Sequence, residues 1–423
     1  MTTTAWRIDA RPLGDTGTLS RGTLLVGLFL LGFVPRALLV LTHRTTLESW
    51  EYEALAQSIV SGQGYVIMHF GQVSFAFGDG NLYSFLAGAV YMVVGHHPSV
   101  LALVQALLGA LIGPLLYAVA ARPLGRPVAT LGAALGALHP GLLAYTLKLH
   151  PLGLDTVLLA ALVLWTRRIG PTWRDGLPAG LALGLNLMSR PTFFVAGLAA
   201  LAVRWRRQRA CGRAVLVAIG VGSLVALPWV GRNWAVLGQP MFMSTSLEEV
   251  WKGNNPNATG SGLLPNGKDV FSSAPPQLQV RFATLDEVNR NAFFGEEVVE
   301  FARQQPAAFA GLVAHKFLYF WWASPQTGLL YPPEWLTAYL VYAGVVLGLA
   351  AVGAVSIVRR GSADARDLLW TIGSMSLGIA SLHALAYVEG RHRWGIEPLL
   401  LILTAQGAVT LAARLARVTP ARE

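Results

Sequence analysis

Residues 22–42 read GTLLVGLFLLGFVPRALLVLT, and the acidic, aromatic stretch ESWEY follows at residues 48–52. The first stretch is an apolar run of about 20 residues, the length that an α-helix needs to cross a bilayer. It is too long for the core of a signal peptide and lacks a small-residue cleavage site, so we expect a retained membrane helix. Carboxylates just beyond such a helix cost free energy unless water or a partner meets them, so the second stretch predicts a functional site.

Similar apolar runs recur along the chain, in which 54% of the 423 residues are hydrophobic and only 13% are charged. This composition predicts an all-α polytopic membrane protein. We expect a cytoplasmic N-terminal segment at residues 1–21 and a single membrane domain at residues 22–423. The predicted spans lie near 22–42, 98–121, 127–147, 153–166, 176–189, 191–204, 213–231, 336–357, 368–387 and 393–414, about ten in all.

The net charge of +10 could indicate a nucleic-acid partner, but its distribution excludes that class. Arginines concentrate in short connectors between apolar runs, which marks the cytoplasmic side of a membrane protein. These connectors hold Arg122 and Arg126; Arg167, Arg168 and Arg174; Arg204, Arg206, Arg207, Arg209 and Arg213; and Arg359, Arg360 and Arg366. The alternation of spans then places residues 43–97 and 232–335 outside, as two loops that contain interfacial helices near 82–95 and 309–322.

Acidic and basic side chains gather on the external side of this topology. The acids are Glu48 and Glu51 in the first loop and Asp155 after the turn that contains His150. The bases are Arg190, Lys316, Arg391 and Arg393. Carboxylates ringed by cations at the depth of the lipid headgroups suit a substrate that carries a phosphate and a long apolar tail.

Several short motifs occur here in a characteristic order. They are Glu48 to Tyr52, Gly62-Gln63-Gly64-Tyr65, Leu82-Tyr83, Asp155, Arg190-Pro191, Pro228-Trp229, Arg232-Asn233, Gly253-Asn254-Asn255-Pro256 and the pair Arg391 and Arg393. In this order and spacing the chain resembles the GT-C glycosyltransferases, in particular the family 39 branch with the protein O-mannosyltransferases and the lipid A aminoarabinose transferase. The first acid of the motif is usually Asp, whereas this chain has Glu48, so either Glu48 or Glu51 could be the base.

The resemblance implies a GT-C-type bundle of transmembrane helices that transfers a sugar from a polyprenyl-phosphate donor. The acceptor would be a hydroxyl of a lipid, glycan or protein on the outer side of a bacterial plasma membrane, and the anomeric centre would be inverted. A carboxylate would serve as general base, and Asp155 would orient its neighbours, hold a divalent ion or contact the sugar. Implied phosphate ligands are Lys316, Arg391, Arg393 and Arg190, and implied sugar or acceptor contacts are Tyr52, His150, Asn254 and Asn255.

Three alternatives remain open. A divalent cation could be held by Glu48, Asp155 and His150, although no local ligand spacing supports it, and the single Cys211 excludes a thiolate site. Arg393 could pair with Glu397 four residues later instead of with a phosphate. The rival classes are a secondary transporter and a non-enzymatic polyprenyl-lipid-binding assembly protein; charges at one face and the lack of an internal repeat disfavour the transporter.

Overall fold

The computed structural model describes residues 19–322 and 333–418, in which helices dominate and the predicted all-α polytopic class is confirmed. Residues 1–18 of the predicted N-terminal segment and 323–332 of the predicted second loop lie outside the described residues. The helices are α1 (Arg21–Thr42), α2 (Glu51–Val60), α3 (Asn81–Val94), α4 (Pro98–Ala110), α5 (Ile112–Leu124), α6 (Arg126–Ala137), α7 (Pro140–Ala144), α8 (Leu152–Arg168), α9 (Gly176–Ser189), α10 (Pro191–Arg207), α11 (Gly212–Leu237), α12 (Ser246–Lys252), α13 (Pro276–Thr284), α14 (Glu287–Gln304), α15 (Pro306–Trp321), α16 (Pro333–Arg360), α17 (Ala363–Leu385), α18 (Gly390–Trp394) and α19 (Glu397–Val418). One antiparallel hairpin, β1 (Ile67–His69) and β2 (Gln72–Ser74), lies between α2 and α3.

Seven helical segments in the described part of the chain are long and apolar enough to cross a membrane, and each coincides with a predicted span. They are Arg21–Thr42, Pro98–Leu124, Arg126–Leu147, Arg209–Leu237, Glu334–Arg360, Ala363–Leu385 and Glu397–Arg417. The other three predicted spans are α8, α9 and α10, which have 17, 14 and 17 residues. Such helices rise roughly 21–26 Å, less than a hydrocarbon core of about 30 Å. The count of ten spans therefore stays a prediction.

A proline sets the boundary between α9 and α10, which lies next to the candidate site. Pro191 occupies the first position of α10, where its missing N–H costs nothing. A proline also disfavours helical geometry in the residue before it, and Arg190 is extended, with φ −154° and ψ 105°. Arg190 therefore separates α9 from α10, and its side chain projects from the junction of the two helices.

Glycines allow two of the long helices to approach each other closely. A Cβ atom on Gly353 of α16 would lie 2.0 Å from the Leu403 carbonyl oxygen of α19. A Cβ atom on Gly407 of α19 would lie equally close, at 2.0 Å, to the Leu349 carbonyl oxygen of α16. Small residues at such contacts bring backbones together and favour helix association in lipid.

The arginine-rich connectors meet at one end of the bundle, around the start of α17. The Asp364 carboxylate accepts a hydrogen bond from Arg167 Nη2 at 2.6 Å. The Asp367 carboxylate lies 3.2 Å from Arg204 Nη1 and 3.3 Å from Arg207 Nε. These ion pairs join the ends of α8 and α10 to α17, and we call this cluster the arginine end of the bundle.

The two predicted loops pack against each other at the opposite end of the bundle. Phe70, at the turn of the β-hairpin, inserts its ring among aromatic side chains of the second loop, with ring centroids 5.0 Å from Phe271 and 5.8 Å from Phe282. Glu287, at the start of α14, accepts hydrogen bonds from Ser74 Oγ at 2.6 Å and from the Phe75 N–H at 2.8 Å. The hairpin thus anchors the second loop, and both loops frame the candidate site.

Candidate active site

A network of charged side chains centres on Arg190. Its Nε donates to Asp155 Oδ2 at 2.8 Å, and its Nη1 donates to Asp79 Oδ2 at 3.0 Å. Ser189 Oγ donates to the second Asp155 oxygen at 2.5 Å, and the Tyr52 hydroxyl donates to the second Asp79 oxygen at 3.2 Å. The structure therefore brings together Tyr52, Asp155 and Arg190, as the sequence predicts, and adds Asp79. Asp155 is fully buried, whereas the Asp79 side chain is 25% exposed and open to the site.

Asp79 is absent from the residues that sequence reasoning selects. It lies between Gly78 and Gly80, whose φ angles of 66° and 77° fall in the left-handed region that favours glycine. A Cβ atom on Gly80 would lie 2.4 Å from the ring of Tyr52, so only glycine fits there. An acid between two glycines, directly before the Leu82-Tyr83 motif, is the signal that could have found it.

Glu51 opens α2 and faces the same space as Asp79. Its side chain makes no hydrogen bond or ion pair with another residue of the described ranges 19–322 and 333–418. Burial raises the pKa of Glu51, and nearby Asp79 raises it further, while Arg391 and Lys252 act in the opposite direction. A partly desolvated carboxylate without a fixed partner is the kind of group that can accept a proton.

Glu48 has different surroundings from Glu51. Its backbone bridges to the segment before α8 through Glu48 N–H to Leu147 O at 3.0 Å and Leu149 N–H to Glu48 O at 2.9 Å. Its carboxylate pairs with Lys148 and accepts the Trp50 indole N–H at 2.8 Å. The Glu48 side chain is 51% exposed. Glu48 therefore lies at the rim with a cationic partner.

His150 is buried among aromatic rings close to three cations. Its ring centroid lies 5.0 Å from that of Trp50 and 5.3 Å from that of Tyr52, both in edge-on geometry. Its Nδ1 accepts the Leu152 N–H at 3.1 Å, which places the ring proton on Nε2. Burial lowers the pKa of His150 well below its usual value, and Arg391, Arg190 and Lys148 lower it further. The imidazole is therefore neutral and positions the aromatic wall of the site.

The predicted ligands of a divalent ion take part in other contacts. Glu48 pairs with Lys148, Asp155 pairs with Arg190, and His150 Nδ1 accepts a backbone N–H. Across residues 19–322 and 333–418, no three His, Cys, Asp or Glu side chains converge as a set of metal ligands. A divalent ion stays an open alternative.

Three residues proposed as substrate contacts hold the second loop in place. Lys316 Nζ donates to Gly253 O at 3.0 Å, to Asn254 Oδ1 at 2.7 Å and to Ala386 O at 2.7 Å. The amide groups of Asn254 and Asn255 donate to backbone carbonyl oxygens of α12, including Trp251 O at 2.9 Å. Lys316 is fully buried, and burial lowers its pKa to about 7. These contacts use every donor of the ammonium group, so Lys316 lies behind the site rather than in it.

Arg393 is also committed to contacts within the protein. Its Nε donates to Glu397 Oε2 at 2.9 Å, which confirms the pairing of the two residues four positions apart. Its other nitrogens donate to Trp321 O at 2.6 Å and to the Tyr339 hydroxyl at 2.8 Å. Only 2% of Arg393 is exposed. The guanidinium group ties α15, α16 and α19 together.

An apolar cavity of about 440 Å³ lies beside the charged network. Its walls come from α7 and the turn after it, α16 and α18, and include Tyr145, Leu336, Tyr339, Tyr342 and Trp394. At one side the lining turns polar, with Lys148, Glu389 and Arg391. Arg391 Nη2 lies 2.8 Å from Glu389 Oε2, and the Arg391 guanidinium carbon lies 4.8 Å from the centre of the Trp50 ring. We call this cavity the apolar groove.

A second cation, which sequence reasoning does not select, faces the site from α12. Lys252 Nζ lies 2.8 Å from Glu249 Oε1 and 5.6 Å from the centre of the Tyr387 ring. Glu51 interacts electrostatically with both Lys252 and Arg391. The second loop and α18 therefore each contribute a cation that influences Glu51.

Comparisons with known proteins agree with this architecture. Residues 80–231 match the family described as dolichyl-phosphate-mannose-protein mannosyltransferase. No curated protein sequence matches the chain significantly.

Two solved structures share the fold. One is the oligosaccharyltransferase AglB from Archaeoglobus fulgidus in complex with an inhibitory peptide and a dolichol-phosphate, at 15% identity and a TM-score of 0.52 over 95% of this chain and 52% of that chain. The other is the Archaeoglobus fulgidus oligosaccharyltransferase tethered to an acceptor peptide containing the NVT sequon, at 14% identity and a TM-score of 0.54 over 93% of this chain and 50% of that chain. The chain thus spans about half the length of these structures. The family match and the shared fold confirm the resemblance seen in the sequence: the chain is similar to GT-C glycosyltransferases of the protein O-mannosyltransferase type.

Proposed function

We propose that the protein is an integral-membrane glycosyltransferase that moves a sugar from a polyprenyl-phosphate donor to an acceptor hydroxyl of a lipid, glycan or protein. The reaction occurs at the end of the bundle opposite the arginine end and inverts the anomeric centre. Arginine-rich connectors mark the cytoplasmic side, so the site faces the extracytoplasmic side of a bacterial plasma membrane.

The observation that carries the proposal is the apolar groove with Arg391 at its polar side and Glu51 and Asp79 beside it. A polyprenyl chain needs an apolar channel, and its phosphate needs a cation where that channel ends. The sugar beyond the phosphate then meets carboxylates. AglB, which shares the fold, was solved with a dolichol-phosphate, a lipid of the same chemical class.

Glu51 is the carboxylate that we assign as the general base. It faces the site without a fixed partner among the residues that the structure describes, and its raised pKa strengthens it as a proton acceptor. Glu48 is the alternative base, but its pairing with Lys148 at the rim favours Glu51. Asp155 acts as a positioning residue that holds Arg190, and Arg190 in turn orients Asp79. Tyr52 and His150 form the wall against which the sugar lies.

The leaving phosphate needs charge stabilisation rather than a proton, because phosphates are weak bases. Arg391 offers a planar donor group suited to phosphate oxygens. Arg190 is the weaker candidate, because Asp79 and Asp155 already pair with its guanidinium group. Preorganised cations that meet developing charge contribute much of the rate of such reactions.

The direct test is to incubate the purified, full-length protein with a panel of polyprenyl-phosphate sugars and to follow donor hydrolysis or transfer. We expect the wild type to be active, Glu51→Gln to be inactive and Glu48→Gln to keep measurable turnover. Activity in Glu51→Gln together with its loss in Glu48→Gln would transfer the base assignment to Glu48. A protein that binds the donors without releasing sugar to any acceptor would instead be a lipid-binding assembly protein.

The same assay in excess chelator tests the divalent ion. Transfer that stays unchanged would remove the ion from the reaction. If an added divalent cation restores the lost transfer, such an ion takes part in the reaction. Glu51 and Asp79, the carboxylates beside the polar side of the apolar groove, would then be the first candidates for its ligands.

A further inference from the structure

We infer that Lys148 is a second ligand of the leaving phosphate, held at the mouth of the apolar groove by Glu48 and released to the phosphate as charge develops. The inference rests on the proposed function and adds a binding residue to it. Lys148 is not among the phosphate ligands that the motifs imply.

Lys148 and Arg391 lie side by side at the groove. Both line it, and both lie over the indole ring of Trp50, with Lys148 Nζ 5.6 Å and the Arg391 guanidinium carbon 4.8 Å from the ring centre. Lys148 Nζ also lies 5.4 Å from the centre of the Tyr145 ring, which belongs to the groove wall. An aromatic ring attracts cations weakly and keeps them in place without neutralising them. Trp50 therefore holds two cations at the polar side of one apolar cavity.

Each cation has a carboxylate partner, but the two partners differ in exposure. Glu389, which pairs with Arg391, is only 10% exposed in its side chain and cannot turn to water. Glu48, which pairs with Lys148, is 51% exposed, whereas the Lys148 side chain is 16% exposed. Glu48 can therefore turn towards water when a phosphate takes its place at Lys148, because half of its own side chain is already exposed. Lys148 remains at the groove when Glu48 leaves.

The charge balance of the transfer explains why a releasable cation is useful. The acceptor oxygen forms a bond to the anomeric carbon, and the bond from that carbon to the phosphate oxygen breaks. Its electron pair stays on the phosphate, and the acceptor proton passes to the carboxylate base. The donor phosphodiester carries one negative charge, and the leaving polyprenyl phosphate carries two. The donor, with one negative charge, competes poorly with Glu48 for Lys148, whereas the leaving phosphate, with two, competes well. Lys148 therefore stabilises the charge that develops on the phosphate in the transition state more than it stabilises the bound donor.

The test compares binding of farnesyl phosphate, a monoester, with binding of its methyl diester, to detergent-purified full-length protein at pH 7.5. The monoester carries nearly two negative charges, because the second pKa of such phosphates is about 6. Lys148→Gln is the test variant, and the exposed Lys268→Gln is the matched control. The backbone bridges from Glu48 to Leu147 and Leu149 do not depend on the Lys148 side chain.

We expect Lys148→Gln to weaken binding of the monoester about tenfold, as lost charge-assisted hydrogen bonds do, and to change binding of the diester little. Lys268→Gln should change neither. Equal weakening of both compounds in Lys148→Gln would overturn the inference, because it would show a general loss of structure. Failure of the wild type to bind either compound would instead contradict the proposed function.

Glu48→Gln supplies an independent check. Because it frees Lys148, we expect it to tighten binding of the monoester a few-fold while binding of the diester stays nearly constant. Weaker monoester binding in Glu48→Gln would show that the pair only supports the loop, and the inference would fall.

Discussion

The two ends of the helix bundle use the same kinds of residue in opposite ways. At the arginine end, Asp364 and Asp367 each have guanidinium partners, with Asp367 within 4.0 Å of Arg167, Arg204 and Arg207. At the other end, Arg190 joins Asp79 to Asp155, but Glu51 has no partner within the described ranges and the network borders the apolar groove. Paired charges hold helices together, whereas an unpaired carboxylate beside a cavity is available for chemistry. Ion pairs alone therefore do not indicate a candidate active site, whereas the incompletely paired set does.

Of the substitutions that distinguish the two ends of the bundle, Glu51→Gln is expected to have the largest effect on transfer. The amide keeps the shape of the side chain but cannot accept the proton, so transfer should fall by about 10²–10⁴. The thermal unfolding temperature should stay close to that of the wild type, because Glu51 forms no ion pair with residues 19–322 or 333–418. Turnover and thermal unfolding of the same preparation check both statements, and near-normal turnover would remove Glu51 from the mechanism.

Asp367→Asn should produce the opposite pattern at the arginine end. Removal of one charge leaves Arg204 and Arg207 close together without their carboxylate, while Arg167 keeps Asp364, and the loss should cost about 3 kcal/mol of unfolding free energy. The fraction of protein that remains folded should keep its turnover. The exposed Glu296→Gln serves as control and should change stability by less than about 0.5 kcal/mol. A stable but inactive Asp367→Asn would show that the two ends are coupled.

Gly80→Ala tests whether transfer depends on the backbone geometry of the candidate site as well as on its charged side chains. The new methyl group meets the Tyr52 ring and must displace either that ring or Asp79, so transfer should fall at least about tenfold. Gly62 has a similar φ of 82°, and no atom lies within 4 Å of the position that a methyl group would take there, so Gly62→Ala carries the same left-handed strain without the clash. Its turnover should stay within about twofold of the wild type, at a cost of roughly 1–2 kcal/mol in stability.

The smallest effect concerns the pH dependence of transfer. Because burial raises the pKa of Glu51 above 4.5, the rate should fall as the pH drops through that raised value, when the base becomes protonated. Asp79→Asn removes a neighbouring negative charge and should move this acidic limb to lower pH, while Arg391→Gln should move it to higher pH. The pH profile of kcat/KM reads these shifts. Shifts in the reverse directions would show that the limb belongs to another group.

Sequence reasoning selects several residues of the candidate site because they stand in ordered motifs. Glu51, Tyr52, Asp155 and Arg190 are chosen from the chain alone, and the structure places them around one space. The pairing of Arg393 with Glu397 also follows from their spacing of four residues. Long apolar runs predict seven of the helices for the same reason, since their length and composition are local properties.

The remaining features depend on contacts between distant parts of the chain. A sequence shows that Lys316 is charged but not that three oxygen acceptors from the second loop and the end of α17 surround it. Asp79 becomes visible only when the flanking glycines are seen to bend the chain toward Arg190. Likewise, the choice between Glu48 and Glu51 turns on Lys148, which is 100 residues away from Glu48.

The short helices α9 and α10 have a consequence for the surrounding lipid. If both helices cross the membrane as the sequence predicts, their 14 and 17 residues are too few for an ordinary bilayer, and the lipid beside such helices thins to keep apolar surfaces covered. A locally thinned leaflet would lower the headgroups toward Arg190 and shorten the path by which a water-soluble acceptor descends to a donor anchored in hydrocarbon. For the proposed transferase, bilayer thickness, which acyl-chain length sets, would then tune the encounter between donor and acceptor.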